Sequence, residues 1–308
     1  MNEPMVYLNG EMIPASQAHI NIYDAGIVLG ATVTEMTRTF HHRPFRLEDH
    51  VARLFRSLKY VRFDVGMSEQ EMTTTTERLI AHNTGLIGPE GELGIIHFVT
   101  AGEFRVYAGS AGGGGKVPPT VCIHSFPMPF HLWTESFGEE GIHVITPSTR
   151  HVPPQCIDPK MKYRSRLHFY LADQETHLVD PKAGTLMLDL DGNVTEMSGG
   201  NFLIVRDGTI LSATTRNILP GISRQTVIEL AGKMGIPFVE RDIQVHDVVN
   251  ADEAFETTTP LCLAPVTRIN GIPIGNGKMG PITKQLLAAW SDLVGLDIVD
   301  QFRRAVKA

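Results

Sequence analysis

Between residues 109 and 119 the chain reads Gly109-Ser110-Ala111-Gly112-Gly113-Gly114-Gly115-Lys116-Val117-Pro118-Pro119, a run that no helix or strand accommodates. Glycine widens backbone freedom, and the closing prolines remove amide donors, so this segment is a loop or a crossing. The stretches on its two sides must fold as separate elements. A chain of 308 residues has the length for that and is expected to form two domains. With 42% hydrophobic and 20% charged residues it reads as a folded globule, not a disordered or fibrous chain.

The net charge of −7 argues against nonspecific nucleic-acid binding and against an anionic membrane face. A local site can still be positive. No apolar stretch approaches the roughly 18 residues of a membrane span, and MNEPMVYLNG lacks the basic-then-apolar order of a secretory signal. Cys122, Cys156 and Cys262 lie far apart, without CxxC spacing, and read as reduced structural thiols of a cytoplasmic protein. There is no HExxH metal spacing, no GxGxxG and no GxSxG, so no metal site is expected.

Period and turn signals organise the rest. Met5–Leu8 and Glu11–Ile13 flank Asn9-Gly10 as a hairpin, and residues 31–40 form a strand. Leu47, Val51, Leu54, Phe55 and Leu58 mark a helix over 46–63, and Ser68 with Glu71 opens a second, running to Asn83. Strands are expected at 94–100, 103–107 and 120–126, and Pro127-Met128-Pro129 marks a boundary. Strands at 141–146, 185–189, 193–195, 202–206, 238–242, 254–257 and 261–269 then alternate with helices at 163–175, 223–235 and 280–294. The fold class is α/β, with a small N-terminal α/β domain (1–126), a linker (127–138) and a larger mixed α/β domain (139–308) that carries Lys162.

Four features invite a functional reading, each beside a plainer one. Leu219-Pro220-Gly221-Ile222-Ser223-Arg224 runs into a helix whose first N–H groups can hold a phosphate, or it is an ordinary helix start. The hydroxyls of Glu256-Thr257-Thr258-Thr259-Pro260 can bind the same anion or satisfy their own turn. A lysine of Lys160-Met161-Lys162-Tyr163 can bond a carbonyl cofactor, though most lysines are solvent groups. Glu196, before the bend Met197-Ser198-Gly199-Gly200, can face a cofactor or simply the surface.

In combination and in this order, the motifs resemble those of the class IV aminotransferases, the fold type IV pyridoxal-phosphate enzymes. The motifs are Tyr7-Leu-Asn-Gly, Asp24-Ala-Gly with Gly30, and Phe45-Arg-Leu-Glu-Asp-His50-Val-Ala-Arg53-Leu54. They continue with Lys162, Thr195-Glu196 with Gly200-Asn201-Phe202, Leu219-Pro-Gly-Ile-Ser-Arg224, Asp252-Glu253-Ala254-Phe255 leading to Thr259, and Gly280-Pro281-Ile282-Thr283. The resemblance implies a D-amino acid/branched-chain aminotransferase-like fold with pyridoxal 5′-phosphate as cofactor. It implies that Lys162 carries the cofactor and moves the proton, and that Glu196 pairs with the pyridine nitrogen. Arg53, the backbone of Ile222 and Ser223, and Thr259 take the phosphate. Thr258 stands where branched-chain enzymes usually carry glycine. Lys160 is the alternative to Lys162.

The substrate side departs from the family. Leu29 and Thr34 replace an aromatic pair of the apolar pocket, and Met36 replaces a small glycine. The strand Gly94-Ile-Ile-His97 lacks the arginine of bacterial branched-chain enzymes, so His97 joins the pocket and Arg105 or the glycine loop is expected to bind the carboxylate. The resemblance implies transamination from an L-amino acid, branched-chain-like, to a 2-oxo acid such as 2-oxoglutarate or pyruvate. An (R)-amine or D-amino acid transaminase, an aminodeoxychorismate lyase and a noncatalytic binding protein stand as alternatives. Family members imply a homodimer, with residues 105–115 as the loop that completes the partner's site.

Overall fold

The computed structural model describes residues 3–112 and 115–304. Gly113 and Gly114 of the glycine run lie outside the described residues. The chain divides into two compact units: the first runs to Met128 and takes in Met161–Ser165, and the second comprises Pro129–Lys160 and the chain from Arg166 on.

The first unit contains β1 (Met5–Leu8), β2 (Glu11–Pro14), α1 (Ala25–Val28), β3 (Thr32–Phe40), β4 (Arg43–Pro44), α2 (Leu47–Val61), α3 (Glu69–Asn83), β5 (Leu93–Thr100) and β6 (Val121–Pro127). The strands form one antiparallel sheet in the order β2-β1-β6-β5-β3-β4. The apolar stripe of α2 buries Leu47, Val51, Leu54 and Leu58 against Val33, Ile95, Val99 and Ile123 of the sheet. Each full burial of such a side chain is worth about 1.5–3 kcal/mol. Ser68 and Glu71 close the expected capping box at the start of α3. Asp24 caps α1 through Gly26 N–H at 2.7 Å and accepts the hydroxyls of Thr100 and Thr120 at 2.9 and 2.6 Å, which explains the Asp24-Ala-Gly motif.

The expected strand at 103–107 does not form. Glu103 makes only a bridge to Asp24, and residues 105–109 turn, because Phe104 N–H is already bonded to Tyr23 O at 2.7 Å.

The second unit contains β7 (Ile142–Ile145), α4 (Leu167–Val179), β8 (Gly184–Leu188), β9 (Val194–Met197), β10 (Asn201–Arg206), β11 (Thr209–Ser212), α5 (Ile222–Lys233), β12 (Phe238–Glu240), α6 (Val245–Val249), β13 (Glu253–Thr258), β14 (Cys262–Ile269), β15 (Ile272–Pro273), α7 (Pro281–Val294) and α8 (Ile298–Arg304). The sheet order is β12-β11-β10-β13-β14-β7-β8-β9, and β9 pairs back onto β10 through Glu196↔Asn201. The strands β10-β13-β14-β7-β8-β9 thus close a ring around a core that includes Val144, Leu186, Val194, Phe202, Ile204 and Val266. Glu196 sits at the closure.

Two expectations change here. Residues 127–138 are not an open linker: Phe130–Phe137 wind as a 3₁₀ helix, and the rings of Phe130 and Phe137 lie 5.0 and 4.6 Å from Phe302 of α8. Burying those aromatics outweighs the stiffness that the prolines impart. Helix α4 begins at Leu167, not Tyr163, because the backbone of 162–164 is spent on pairing with β3.

Candidate functional site

In the first unit the site residues gather around the start of β3 and the middle of α2. Thr34 N–H donates to Lys162 O at 2.9 Å and Arg164 N–H to Thr32 O at 3.0 Å, so residues 162–164 form a short extra edge beside β3. Ser57 Oγ accepts Lys162 N–H at 3.4 Å and donates to Arg53 O at 3.2 Å, one turn back along α2. Lys162 and Arg53, distant in sequence, thereby share one supporting hydroxyl. They lie in the same unit, whereas the sequence placed Lys162 in the C-terminal domain.

Arg53 is buried and grips Glu35 with both Nε (2.8 Å) and Nη2 (2.6 Å). His50 Nδ1 lies 3.0 Å from the same carboxylate. Burial pushes the Glu35 carboxyl up, but the Arg53 charge and the hydrogen bonds of His50 and Arg53 together hold it well below its ordinary value. Burial lowers His50, which favours its neutral ring. A bidentate carboxylate fixes the plane of the guanidinium. Glu35 was not anticipated as a site residue, although a glutamate in the middle of a threonine-rich strand, with His50 and Arg53 three residues apart on the next helix, is a legible sign of a buried ion pair.

The substrate-side residues separate. Glu35↔His97 and Thr34↔Phe98 are register pairs, so His97 shares the helix-covered face with Glu35 while Thr34 and Met36 project from the other face. His97 is 1% exposed, lies 2.8 Å from Thr76 Oγ1 of α3 and is pushed down by burial to about 4. Its place in the substrate pocket is therefore corrected: a one-residue step along a strand reverses the face. Leu29 ends α1 with 60% of its surface exposed. Arg105 begins the 105–109 turn, half-buried, with its carbonyl accepting Ser110 N–H.

In the second unit, Glu196 is held on three sides. Its Oε2 accepts the Leu219 amide at 3.1 Å and Asn201 Nδ2 at 3.2 Å, and its Oε1 lies 3.4 Å from His151 Nε2. Asn201 Nδ2 also donates to Leu219 O at 2.9 Å, clamping the carboxylate to the turn that starts α5. Asn201 Oδ1 presses on Gly221, where a Cβ would collide with it. Gly221 provides no side-chain cap, so the first N–H groups of α5, from Ile222 and Ser223, point out of the helix without one. Arg224 faces inward, bonding Ser212 Oγ at 2.9 Å and Glu240 at 2.6 Å, and is structural.

Thr258, the departure from glycine, uses its hydroxyl: it donates to Gly199 O at 3.1 Å and ties the end of β13 to the bend after Glu196. Thr259 follows in the connection to β14, and Thr257 Oγ1 is buried without a hydrogen-bond partner. Glu256, also buried, lies against Gly199 and Gly200, and burial pushes its carboxyl up to about 7. Lys160 belongs to this unit, is exposed and lies 3.7 Å from Asp158, whereas Lys162 lies in the first unit. His151 and Glu256 were missed. His151 lies in a loop that no local motif marks, and the motif that contains Glu256 pointed to its hydroxyls and not to the carboxyl.

These donors suit a phosphorylated pyridine. An uncapped helix start supplies N–H donors for a phosphate dianion, and a carboxylate held through Oε2 suits a ring nitrogen that must stay protonated. The Asn201 clamp sets the two recognition elements at one separation. Among the described residues, no cluster of His, Cys, Asp or Glu is arranged to hold a metal ion.

The sequence profile of the class IV aminotransferases matches residues 32–269. A protein of Methanocaldococcus jannaschii, named provisionally as a branched-chain-amino-acid aminotransferase, is 31% identical over 290 residues, covering 94% of this chain and 96% of its own. The branched-chain amino acid aminotransferase of Escherichia coli superposes with a TM-score of 0.86 at 27% identity over 95% of both chains. The T.th. branched-chain amino acid aminotransferase, solved with pyridoxamine 5′-phosphate, gives 0.83 at 25% identity, again over 95% of both chains. With this profile, this fold and the Glu196–Asn201–Leu219 clamp together, the chain belongs to the class IV aminotransferases, of fold type IV.

Proposed function

We propose that the protein is a pyridoxal-phosphate-dependent transaminase that moves the amino group of an L-amino acid, branched-chain-like, to a 2-oxo acid such as 2-oxoglutarate or pyruvate. The observation that carries this reading is the clamp joining Glu196 to the uncapped start of α5. When bound, the cofactor supplies an electron-accepting ring that stabilises negative charge at the donor Cα. Glu196 holds the proton on the ring nitrogen. Ile222 N–H, Ser223 N–H, Thr259, the Thr258 backbone and Arg53 take the phosphate. Lys162 carries the cofactor and moves the proton at Cα, supported through its amide by Ser57.

Purified protein incubated with cofactor is expected to absorb at roughly 400–430 nm and to lose that band when an amino donor is added. Absence of the band, with activity retained in Lys162→Ala, would sink the reading. A donor panel of L-leucine, D-alanine and (R)-1-phenylethylamine separates L-amino acid from D-amino acid or (R)-amine preference. Pyruvate release without a 2-oxo acid acceptor would identify a lyase.

We also propose a cytoplasmic homodimer. Ile22, Ile27, Leu29, Val106 and Tyr107 of the first unit are each at least 60% exposed, and the 104–107 turn is tied to the α1 region through Phe104 N–H and Tyr23 O at 2.7 Å. Such an apolar group fits a second copy of the chain. Light scattering reads the mass directly. All three cysteines are free, in keeping with a reducing compartment, and no helix among the described residues is long and apolar enough to cross a membrane.

A further inference from the structure

We propose that Arg164 is the residue that binds the substrate's α-carboxylate, an assignment that rests on the transaminase reading above. Residues 162–164 pair with β3 in an extended conformation, with Val33 opposite Tyr163. Alternation along such a segment puts Arg164 on the same side as Lys162, with Tyr163 on the other. That side is shared with Thr34, whose Oγ1 accepts Arg164 Nε at 3.1 Å while donating to His97 O at 2.8 Å.

The Thr34 hydroxyl is thus directional. Its proton is committed to a backbone carbonyl, so its lone pair faces the guanidinium and holds it by one edge. The Phe98 ring, with its centroid 5.8 Å from the guanidinium carbon, supports the group from below. The neighbouring His124, edge-on to Phe98, is lowered by burial and then by the Arg164 charge, so Arg164 is the cation of this group at neutral pH. Arg164 is exposed although its Nε is fixed. The planar guanidinium fork matches the geometry of a carboxylate.

Position sharpens the assignment. The guanidinium stands two residues from the lysine that moves the Cα proton. It belongs to the same strand pairing, so both groups are set by one piece of backbone. A small hydroxyl at position 34 also leaves space that an aromatic side chain would fill. Arg105, expected from sequence to bind the carboxylate, instead begins a turn beyond the end of β5.

The test uses the cofactor-loaded protein and two ligands of one shape, 4-methylpentanoic acid and neutral 4-methylpentanamide, titrated by calorimetry. The wild type is expected to bind the acid at least about tenfold more tightly than the amide. Arg164→Gln should erase that preference, and Arg164→Lys should keep part of it. Thr34→Val, which removes the acceptor for Nε, should reduce it by about threefold or more. In steady state, Arg164→Gln should raise KM for both L-leucine and L-glutamate at least about tenfold, with kcat changed less than about threefold. An unchanged acid preference in Arg164→Gln, or a KM increase confined to glutamate, overturns the assignment. A wild type that prefers the acid but transfers no amino group overturns the transaminase reading alone.

Discussion

His151 and Glu196 meet with Nε2 3.4 Å from Oε1, while the other carboxylate oxygen accepts the Leu219 amide at 3.1 Å. His151 is 4% exposed, and its Nδ1 lies 2.9 Å from Val152 O, so both ring nitrogens face oxygen. A carboxylate held through Oε2 by the Leu219 amide and Asn201 Nδ2 is oriented before any ligand arrives, which is the condition for electrostatic preorganisation.

Replacing that imidazole with phenyl removes the ring nitrogen beside Oε1 and leaves the two hydrogen bonds on Oε2, from Leu219 N–H and Asn201 Nδ2, in place. His151→Phe preserves the edge contacts to His168 and Phe169, at 5.6 and 5.5 Å, so the fold should persist. Loss of a polar neighbour at 3.4 Å should lower kcat/KM by about threefold to tenfold. A variant that matches the wild type in rate and cofactor affinity would remove His151 from the site.

Gly221 has no room for a side chain because Asn201 Oδ1 occupies the space. Gly221→Ala should displace Asn201 and so release both Glu196 and Leu219. Stability should drop by about 1–3 kcal/mol, and the Kd for pyridoxal phosphate should rise at least about tenfold. Equilibrium dialysis against the cofactor, together with thermal melting, checks the two effects separately.

The bidentate Arg53–Glu35 pair makes the arginine sensitive even to lysine, which presents a point charge in place of a planar fork. Arg53→Lys should destabilise the protein by about 3 kcal/mol or more, since the carboxylate stays buried with a poorer partner. The pH dependence has a definite sign. Glu35 is depressed below its ordinary 4.5, so its contribution is complete above that value and is lost as pH falls through the lower folded-state value. Arg53→Lys should therefore move acid unfolding to higher pH, as read from the midpoint of an acid titration followed by circular dichroism.

Glu256 should behave in the opposite way. Its carboxyl is raised from 4.5 to about 7 by burial, so between those values the folded state keeps a proton that the unfolded chain has released. Stability then falls as pH rises across that window, by about 3 kcal/mol in full. Glu256→Gln should leave stability near about pH 5 almost unchanged and increase it by about 1–3 kcal/mol near about pH 8. Denaturant unfolding at the two pH values decides, and an equal effect at both would rule out ionisation as the cause.

Much of the architecture was legible in the chain. The stripe Leu47, Val51, Leu54, Leu58 and the Ser68–Glu71 box specify α2 and α3 by short-range periodicity and capping. Even two distant motifs prove to be one device: Glu253 accepts Ile282 N–H, Thr283 N–H and Thr283 Oγ1 at 2.9, 2.8 and 2.7 Å and caps α7, so Asp252-Glu253 and Gly280-Pro281-Ile282-Thr283 occur together. Glu196 and Leu219-Pro-Gly-Ile-Ser each have a plainer local reading, and only the order of the motifs along the chain singles them out.

What the chain order did not reveal was which face and which partner each polar side chain takes. His97 differs from a pocket residue by one step of strand register, and the Tyr163 stretch has a helical period yet pairs with β3. His151 reaches Glu196, and Arg164 reaches Thr34 across 130 positions of sequence, without any spacing signal between them. Helix caps and amphipathic periods are written within a few residues, since hydrogen bonds and side-chain rows repeat over that range. The choice between rival long-range contacts is made only when strands close and buried charges must find partners, because an unpaired polar group in the interior costs more than any local preference supplies.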